Sequence, residues 1–205
     1  MHYRVYKEYE RICEPLNFKG SVLEIGAVPS EKSLLCMSSL KNAKEKIGIN
    51  LKPARKYKDF EIIQGNANLM PMFVDNMFDL VLCNALLEHD KYFWKTVSEI
   101  KRVTKINGTI IIGTPGFKNY KAEKIKSYLR KLPVLKQMSK NQYFDFLFYS
   151  TVTFEIHDAP GDYYRFSPQT YREVIFEDLE IINIISIMLP PRIIGVGKKL
   201  KEIGK

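Results

Sequence analysis

The sequence predicts an α/β protein built on a mostly parallel sheet, with helices on both faces and an antiparallel hairpin at the C-terminal end. Three observations carry this expectation. Between residues 21 and 114, five short apolar runs bounded by Gly, Asn and Asp alternate with longer segments of helical period. Near the end, "LEIINIISIMLPPRIIGVGKK" reads as two strands joined at Pro190-Pro191. The 205 residues, 45% of them apolar and 27% charged, suit one domain with a sizeable buried core.

The elements follow in order. Val5, Tyr9, Ile12 and Leu16 fall at i, i+4, i+7 and i+11, which predicts an amphipathic helix before the first strand. The buried strands are "SVLEI" (21 to 25), "KIGIN" (46 to 50), "FEIIQ" (60 to 64), "FDLVLC" (78 to 83) and "TIIIGT" (109 to 114). Their Ile, Leu and Val content is that of parallel strands covered on both faces, joined by right-handed crossovers. After the fourth, Phe93, Val97, Ile100 and Thr104 share one helical face, with Lys95, Glu99, Lys101, Arg102 and Lys105 on the others. Asn107-Gly108 is expected to end that helix.

Beyond Pro115 the composition changes. Residues 118 to 140 hold eight Lys or Arg against one Glu, with Ile125, Tyr128, Leu129 and Leu132 at helical spacing, predicting a basic amphipathic helix that ends near Pro133. "YFDFLFY" (143 to 149) is followed by a loop-like "HDAPGDYYRFSPQ" (157 to 169). Ser167 and Pro168 form a cap and first-turn pair for a helix through about Leu179.

Composition excludes several classes. Cys13, Cys36 and Cys83 are odd in number and widely spaced, which supports neither a disulfide framework nor a Cys-x-x-Cys metal site. A reducing, cytoplasmic setting is expected. Runs of 18 to 20 apolar residues are absent and the first residues are charged throughout, so the chain is expected to be soluble or peripheral. A net charge of +9 favours polyanions, though a lysine-rich solvated surface accounts for it equally well. There is no Gly-x-Ser-x-Gly elbow for a hydrolase, and "GAVPS" lacks the Gly-x-Gly-x-x-Gly turn of dinucleotide enzymes. His2, His89 and His157 form no ligand cluster, so no metal is expected.

Taken together, "VLEIGAVPS", "IGINL", "GNANLMPMFVDNMFDLVLCNALLEH", "EIKRVTKINGTIIIGTP" and "DYYRFSP" resemble a class I S-adenosylmethionine-dependent methyltransferase of the type 11 kind. The resemblance is good over residues 20 to 115 and loose elsewhere. It implies a Rossmann-like fold with a seven-stranded, mostly parallel sheet and a closing antiparallel hairpin. The chain then divides into an N-terminal helix (1–19), a cofactor-binding core (20–115), an acceptor-site insertion with the basic helix (116–169) and a closing helix and hairpin (170–205).

It also implies S-adenosyl-L-methionine as cofactor, across the carboxyl ends of the strands. Glu24 matches the acidic residue that fixes the cationic methionine end, Gly26 the tight turn, and Ala27 a close backbone approach. Asn50, followed by Leu51, stands where the family carries a ribose-binding acid. Asn66 and Ala67 face the adenine position. Asn84 and Leu86 match the place where cofactor meets substrate. The two Asn replacements imply weaker binding, because an amide accepts without the charge-assisted strength of a carboxylate.

For proton removal the candidates are His89 and His157, each with a structural hydrogen-bonding role as the alternative. Asp162, Tyr164 and Arg165 are candidate acceptor contacts for a small-molecule or glycan-like substrate methylated on oxygen or nitrogen; loop packing and an Asp162–Arg165 pair are the alternative. The basic helix fits a solvated or dimer-packing face, a peripheral membrane contact or, least well, RNA. A protein of this fold that has lost catalysis and serves as a binding or assembly partner, or an RNA methyltransferase, stays open as a function.

Overall fold

The computed structural model describes residues 1–117, 125, 127–129, 131–138, 153, 155–156, 161–188 and 190–202. Its strands are β1 (Ser21–Ile25), β2 (Glu45–Asn50), β3 (Arg55–Tyr57), β4 (Phe60–Gln64), β5 (Phe78–Asn84), β6 (Thr104–Pro115), β7 (Glu180–Met188) and β8 (Pro191–Lys198). They form one sheet in the order β3-β4-β2-β1-β5-β6-β8-β7. The five strands from β4 to β6 in that order pair parallel, while β8 and β7 close the other edge antiparallel.

Side-chain alternation along the strands divides the core in two. Val22, Leu80, Leu82, Ile111 and Ile194 face α1 (Tyr3–Cys13), which presents Val5, Tyr9 and Cys13. Leu23, Ile25, Val81, Ile110 and Ile112 face α2 (Phe93–Val103) and the closing segment around Tyr171 and Phe176. Buried at 0% exposure, Tyr9 donates its hydroxyl to the Cys83 carbonyl at 2.7 Å, fixing α1 over the upper end of β5.

The α/β class, the parallel core and the Pro190-Pro191 hairpin stand as expected, with local differences. The sheet has eight strands, because a turn with Lys58 in the left-handed region (φ 52°) folds Arg55–Tyr57 back on β4. Between β1 and β2 there are only two short 3-10 turns, Leu34–Cys36 and Ser38–Leu40. Pro29 and a run of serines there compete with helical hydrogen bonding. Leu16 is exposed, because the chain leaves α1 for a 3-10 turn at Pro15.

Asn107-Gly108 does not end α2. That helix stops at Val103, where Thr104 bonds its hydroxyl back to the Ile100 carbonyl (2.6 Å), and Asn107 (φ 66°) lies within β6. Lys101, expected on the solvated side, is buried and donates to the Glu177 carbonyl at 2.7 Å. Ser167 caps a helical start with a reciprocal Thr170 bond, but after Pro168–Thr170 the chain widens into a π turn over Tyr171–Ile175. Pro133 opens a short helix, α3 (Pro133–Met138); most of 118–132 lies outside the described residues. Among the described residues, no helix is long and apolar enough to cross a membrane.

Candidate functional site

Strand order reverses at β1: the chain moves outward to β2 on one side and later returns to set β5 on the other. The loops at the carboxyl ends diverge there and leave a crevice, the usual ligand position in an open parallel sheet. A cavity of about 390 Å³ occupies it, within the roughly 300–1,000 Å³ range of small-molecule sites. Gly26 follows β1, Asn50 ends β2 and Leu51 follows it, Asn66 and Ala67 follow β4, and Asn84 ends β5 with Leu86 and His89 after it; all eight line the cavity.

Gly26 adopts φ +81°, and a Cβ there would stand 3.0 Å from Leu86 Cδ1, so a side chain would be both strained and crowded. Its N–H donates to the Ile49 carbonyl at 2.9 Å, holding the turn against β2. Close approach continues below, where a Cβ on Gly48 would meet Ala27 Cβ at 2.4 Å. Ala27 is fully buried and lies behind the cavity wall.

Glu24 does not line the cavity. It is buried among HB-donating groups of the following loop: its carboxylate accepts from the Ser33 hydroxyl and from the Leu34 and Leu35 N–H groups at 3.2 and 3.3 Å. Burial pushes this carboxyl above its ordinary range, against the lowering pull of those three donors. Its position therefore makes it an anchor for the 30–36 loop.

The amides on this side are engaged by backbone. Asn50 Nδ2 donates to the Ala27 carbonyl at 2.8 Å and its Oδ1 accepts from Lys52 N–H at 3.1 Å. A carboxylate could not make the first of these bonds. Asn66 Oδ1 accepts from Asn68 N–H at 2.9 Å. Asn68 Nδ2 reaches Asp90 Oδ2 (2.6 Å) and Thr96 Oγ1 (2.8 Å), clamping the loop after β4 to the start of α2. Arg102 secures the same loop from below through the Met70 and Phe73 carbonyls (3.0 and 2.8 Å), Asp75 (2.7 Å) and Glu99 (2.6 and 2.9 Å).

On the β5 side the polar groups are less complete. Asn84 Oδ1 and Glu88 Oε2 are buried and have no hydrogen-bond partner among the described residues. Burial raises the Glu88 carboxyl above its usual range, with Arg192 and His89 pulling the other way. His89 Nδ1 bonds the Gly161 carbonyl, and its Nε2 lies 3.9 Å from Glu88 Oε1.

The acceptor candidates have other occupations. Arg165 forms a forked pair with Asp162, one arm at 2.6 Å, in which both side chains are nearly buried. Tyr164 donates its hydroxyl to the Lys91 carbonyl (2.9 Å) and packs edge-on against Phe93. None of the three lines the cavity; Tyr163 does, with Asn68, Asp90 and Lys91, which the sequence reading did not single out. Asn68 and Asp90 each lie within two residues of a chosen position, and that proximity was the available signal. His157 lies outside the described residues. Among the described residues no group of three or more His, Cys, Asp or Glu could hold a metal.

Residues 31–112 match a family model described as a methyltransferase domain. The match begins just after the Gly26 turn and takes in β2 to most of β6. A Methanocaldococcus jannaschii protein, uncharacterized protein MJ0638, is 42% identical over 67 residues, which are 32% of this chain and 28% of that relative's length.

Solved structures agree over nearly the whole chain. A chain in the complex of the Haloferax volcanii Trm112 methyltransferase activator with a methyltransferase is similar at TM-score 0.65 and 16% identity, covering 98% of this chain and 91% of that one. A methyltransferase from Bacillus halodurans C-125 gives 0.63 at 14% identity over 96% and 99%. The N-methyltransferase NodS from Bradyrhizobium japonicum WM9, in complex with S-adenosyl-L-homocysteine, gives 0.60 at 9% identity over 97% and 87%. The fold is that of the class I methyltransferases.

Proposed function

We propose that this chain, with its class I methyltransferase fold and a methyltransferase domain over residues 31–112, is an S-adenosylmethionine-dependent methyltransferase acting on oxygen or nitrogen of a small-molecule or glycan-like acceptor. The observation that carries the reading is the cavity at the carboxyl ends of β1, β2, β4 and β5, with the side-chain-free Gly26 turn at its floor. When bound, the cofactor supplies a sulfonium methyl group. Gly26 would admit it close to the backbone, Leu51 and Ala67 would cover its flat apolar part, and Asn50 and Asn66 would each offer a second oxygen lone pair. Asn84 and Leu86 would bound its reactive end.

His89 is the proposed base, with His157 as the other candidate. A bond from Nδ1 to the Gly161 carbonyl puts the ring proton on Nδ1 and leaves the lone pair on Nε2 to take up a proton. Much of the rate in such a transfer comes from alignment of acceptor with methyl carbon. Calorimetric titration with S-adenosylhomocysteine tests the reading: saturable binding at micromolar ligand supports it. Binding weakened by Gly26→Val with a native circular dichroism spectrum locates the site.

A second reading, a binding or assembly protein without catalysis, draws support from the backbone bonds that already occupy Asn50 and Asn66. Absence of binding at millimolar ligand favours it. A peripheral membrane contact is proposed for the basic segment, where Ile125, Tyr128, Leu129 and Leu132 are exposed and Lys131 lies 5.4 Å from the Tyr128 ring. Sedimentation with anionic vesicles, lost on Ile125→Asp, checks it.

A further inference from the structure

Asn84 closes β5 and Glu88 lies four residues on, and each buries one oxygen that finds no hydrogen-bond partner among the described residues. Glu88 is 0% exposed. Its other oxygen, Oε1, is 3.5 Å from Arg192 Nη1 on β8 and 3.9 Å from His89 Nε2. Asn84 and His89 both line the cavity; Glu88, between them in the chain, is not part of that lining and is buried behind it. The aromatic loop is tied directly above, with Tyr163 and Tyr164 N–H groups donating to the Glu88 carbonyl at 2.8 and 3.4 Å.

Leaving a buried polar atom unpaired costs about 1–3 kcal/mol. Glu24, nearly as buried, collects three donors, and the Asp162 carboxylate takes both arms of Arg165. The other buried oxygens with no partner among the described residues, Glu10 Oε2 and Ser39 Oγ, belong to residues that do not line the cavity. Two such oxygens only four residues apart, one of them on a residue that lines the cleft, call for a functional account. Both atoms only accept, so the group that completes them donates twice. Charges of both signs stand around the two oxygens among the described residues, with Arg192 near Glu88 and Arg165 on Asp162. A cationic ligand would meet Arg192 and an anionic one would meet Glu88.

We infer that Asn84 and Glu88 form the acceptor subsite, and that it takes a neutral polyol or sugar held by two donated hydroxyl hydrogen bonds. The inference rests on the methyltransferase reading for the fate of that hydroxyl, and narrows its acceptor from oxygen or nitrogen to oxygen. Transfer forms an O–CH3 bond as the S–CH3 bond breaks, giving a methyl ether and a thioether coproduct; the methylated hydroxyl is a third one, beside the two held by Asn84 and Glu88, and its proton passes to His89.

The test is ligand-observed NMR (saturation transfer) on the full chain, with and without S-adenosylhomocysteine. The probes are methyl glucopyranoside, myo-inositol and glycerol, against n-butylamine and butyrate. Glu88→Gln is the matched variant: with the new amide oxygen turned to Arg192, an N–H2 donor replaces the accepting oxygen. The expected result is selective polyol binding by the parent, about tenfold weaker in Glu88→Gln, with S-adenosylhomocysteine affinity within about twofold by calorimetry. Equal polyol binding in the variant, no polyol binding by the parent, or preference for the amine or butyrate overturns the inference. The parent's selectivity decides the matter even where Glu88→Gln fails to fold. Polyol binding that persists in a chain that does not bind S-adenosylhomocysteine sinks the methyltransferase reading alone.

Discussion

On the β1–β2–β4 side of the cleft, Asn50 and Asn66 commit their amides to the backbone, Glu24 gathers three donors and Arg102 fastens the loop below. On the β5 side, Asn84 and Glu88 keep an oxygen unpaired among the described residues. The difference teaches that this cleft divides its labour. One half is held rigid by its own hydrogen bonds and offers mainly shape and backbone; the other keeps polar atoms that the described residues leave unpaired and that the inferred acceptor would complete. Preorganisation in the first half lowers the ordering cost of binding, and the second half supplies discrimination.

Substitutions on the satisfied side should register first as stability. Removing the Arg102 guanidinium strips both carbonyls of the 70–73 loop and leaves Glu99 without its cation, held among the described residues only by the Met70 N–H at 2.6 Å, so Arg102→Met should cost about 3–5 kcal/mol in urea unfolding. Glu24→Ala is next, at about 2–3 kcal/mol, because it takes the acceptor from the buried Ser33 hydroxyl and Leu34 N–H and leaves Leu35 N–H only its bond to Ser33 Oγ. Cofactor affinity should fall with it, and a normal melting temperature alongside lost binding would instead make Glu24 a direct contact. Asn50→Asp should cost about 1 kcal/mol by losing the donor to the Ala27 carbonyl. An unchanged melting temperature there would erase the rigid half of the comparison.

The smallest stability effect belongs to Glu88→Gln, and its sign depends on pH. Burial raises the folded-state carboxyl above its ordinary 4.5, so ionisation opposes folding, and the parent loses stability as pH rises from about 4.5 through the folded value. The groups facing this carboxyl are Arg192 on β8, His89 in the same turn, Asp162 and Arg165 in the aromatic loop and Cys83 on β5. The variant does not titrate, so melting curves should coincide more closely at pH 4 than at pH 7, with the variant gaining relative to the parent. A gap that narrows with rising pH would contradict the burial argument.

Much of the scaffold was legible because buried parallel strands leave uninterrupted apolar runs: "SVLEI" and "FEIIQ" mark their strands to the residue. The connections were less so. Asn107-Gly108 looks like a helix stop, yet Thr104 ends α2 three residues earlier because its β-branched side chain suits the strand that β5 demands. In the site, the positions at strand ends were readable, since strand order alone sends them to one crevice. Side-chain direction was not. Glu24 turns toward Ser33 because a nearer partner outcompetes a ligand, which no linear spacing reveals, whereas the i, i+3 spacing of Asp162 and Arg165 did offer their pairing as one of two readings. Glu88 carries no mark in the sequence beyond its place beside His89, and only the fold shows its burial and missing partner.

The central claim, a cofactor cleft whose rigid half is separate from its acceptor half, is tested most directly by hydrogen exchange with and without S-adenosylhomocysteine. The account predicts slowed exchange at residues 26–27, 50–51, 66–69 and 84–86, the loops at the strand ends. Little change is expected at 161–165, which face the acceptor subsite. Protection confined to 161–165, or an identical exchange pattern at millimolar ligand, would contradict it.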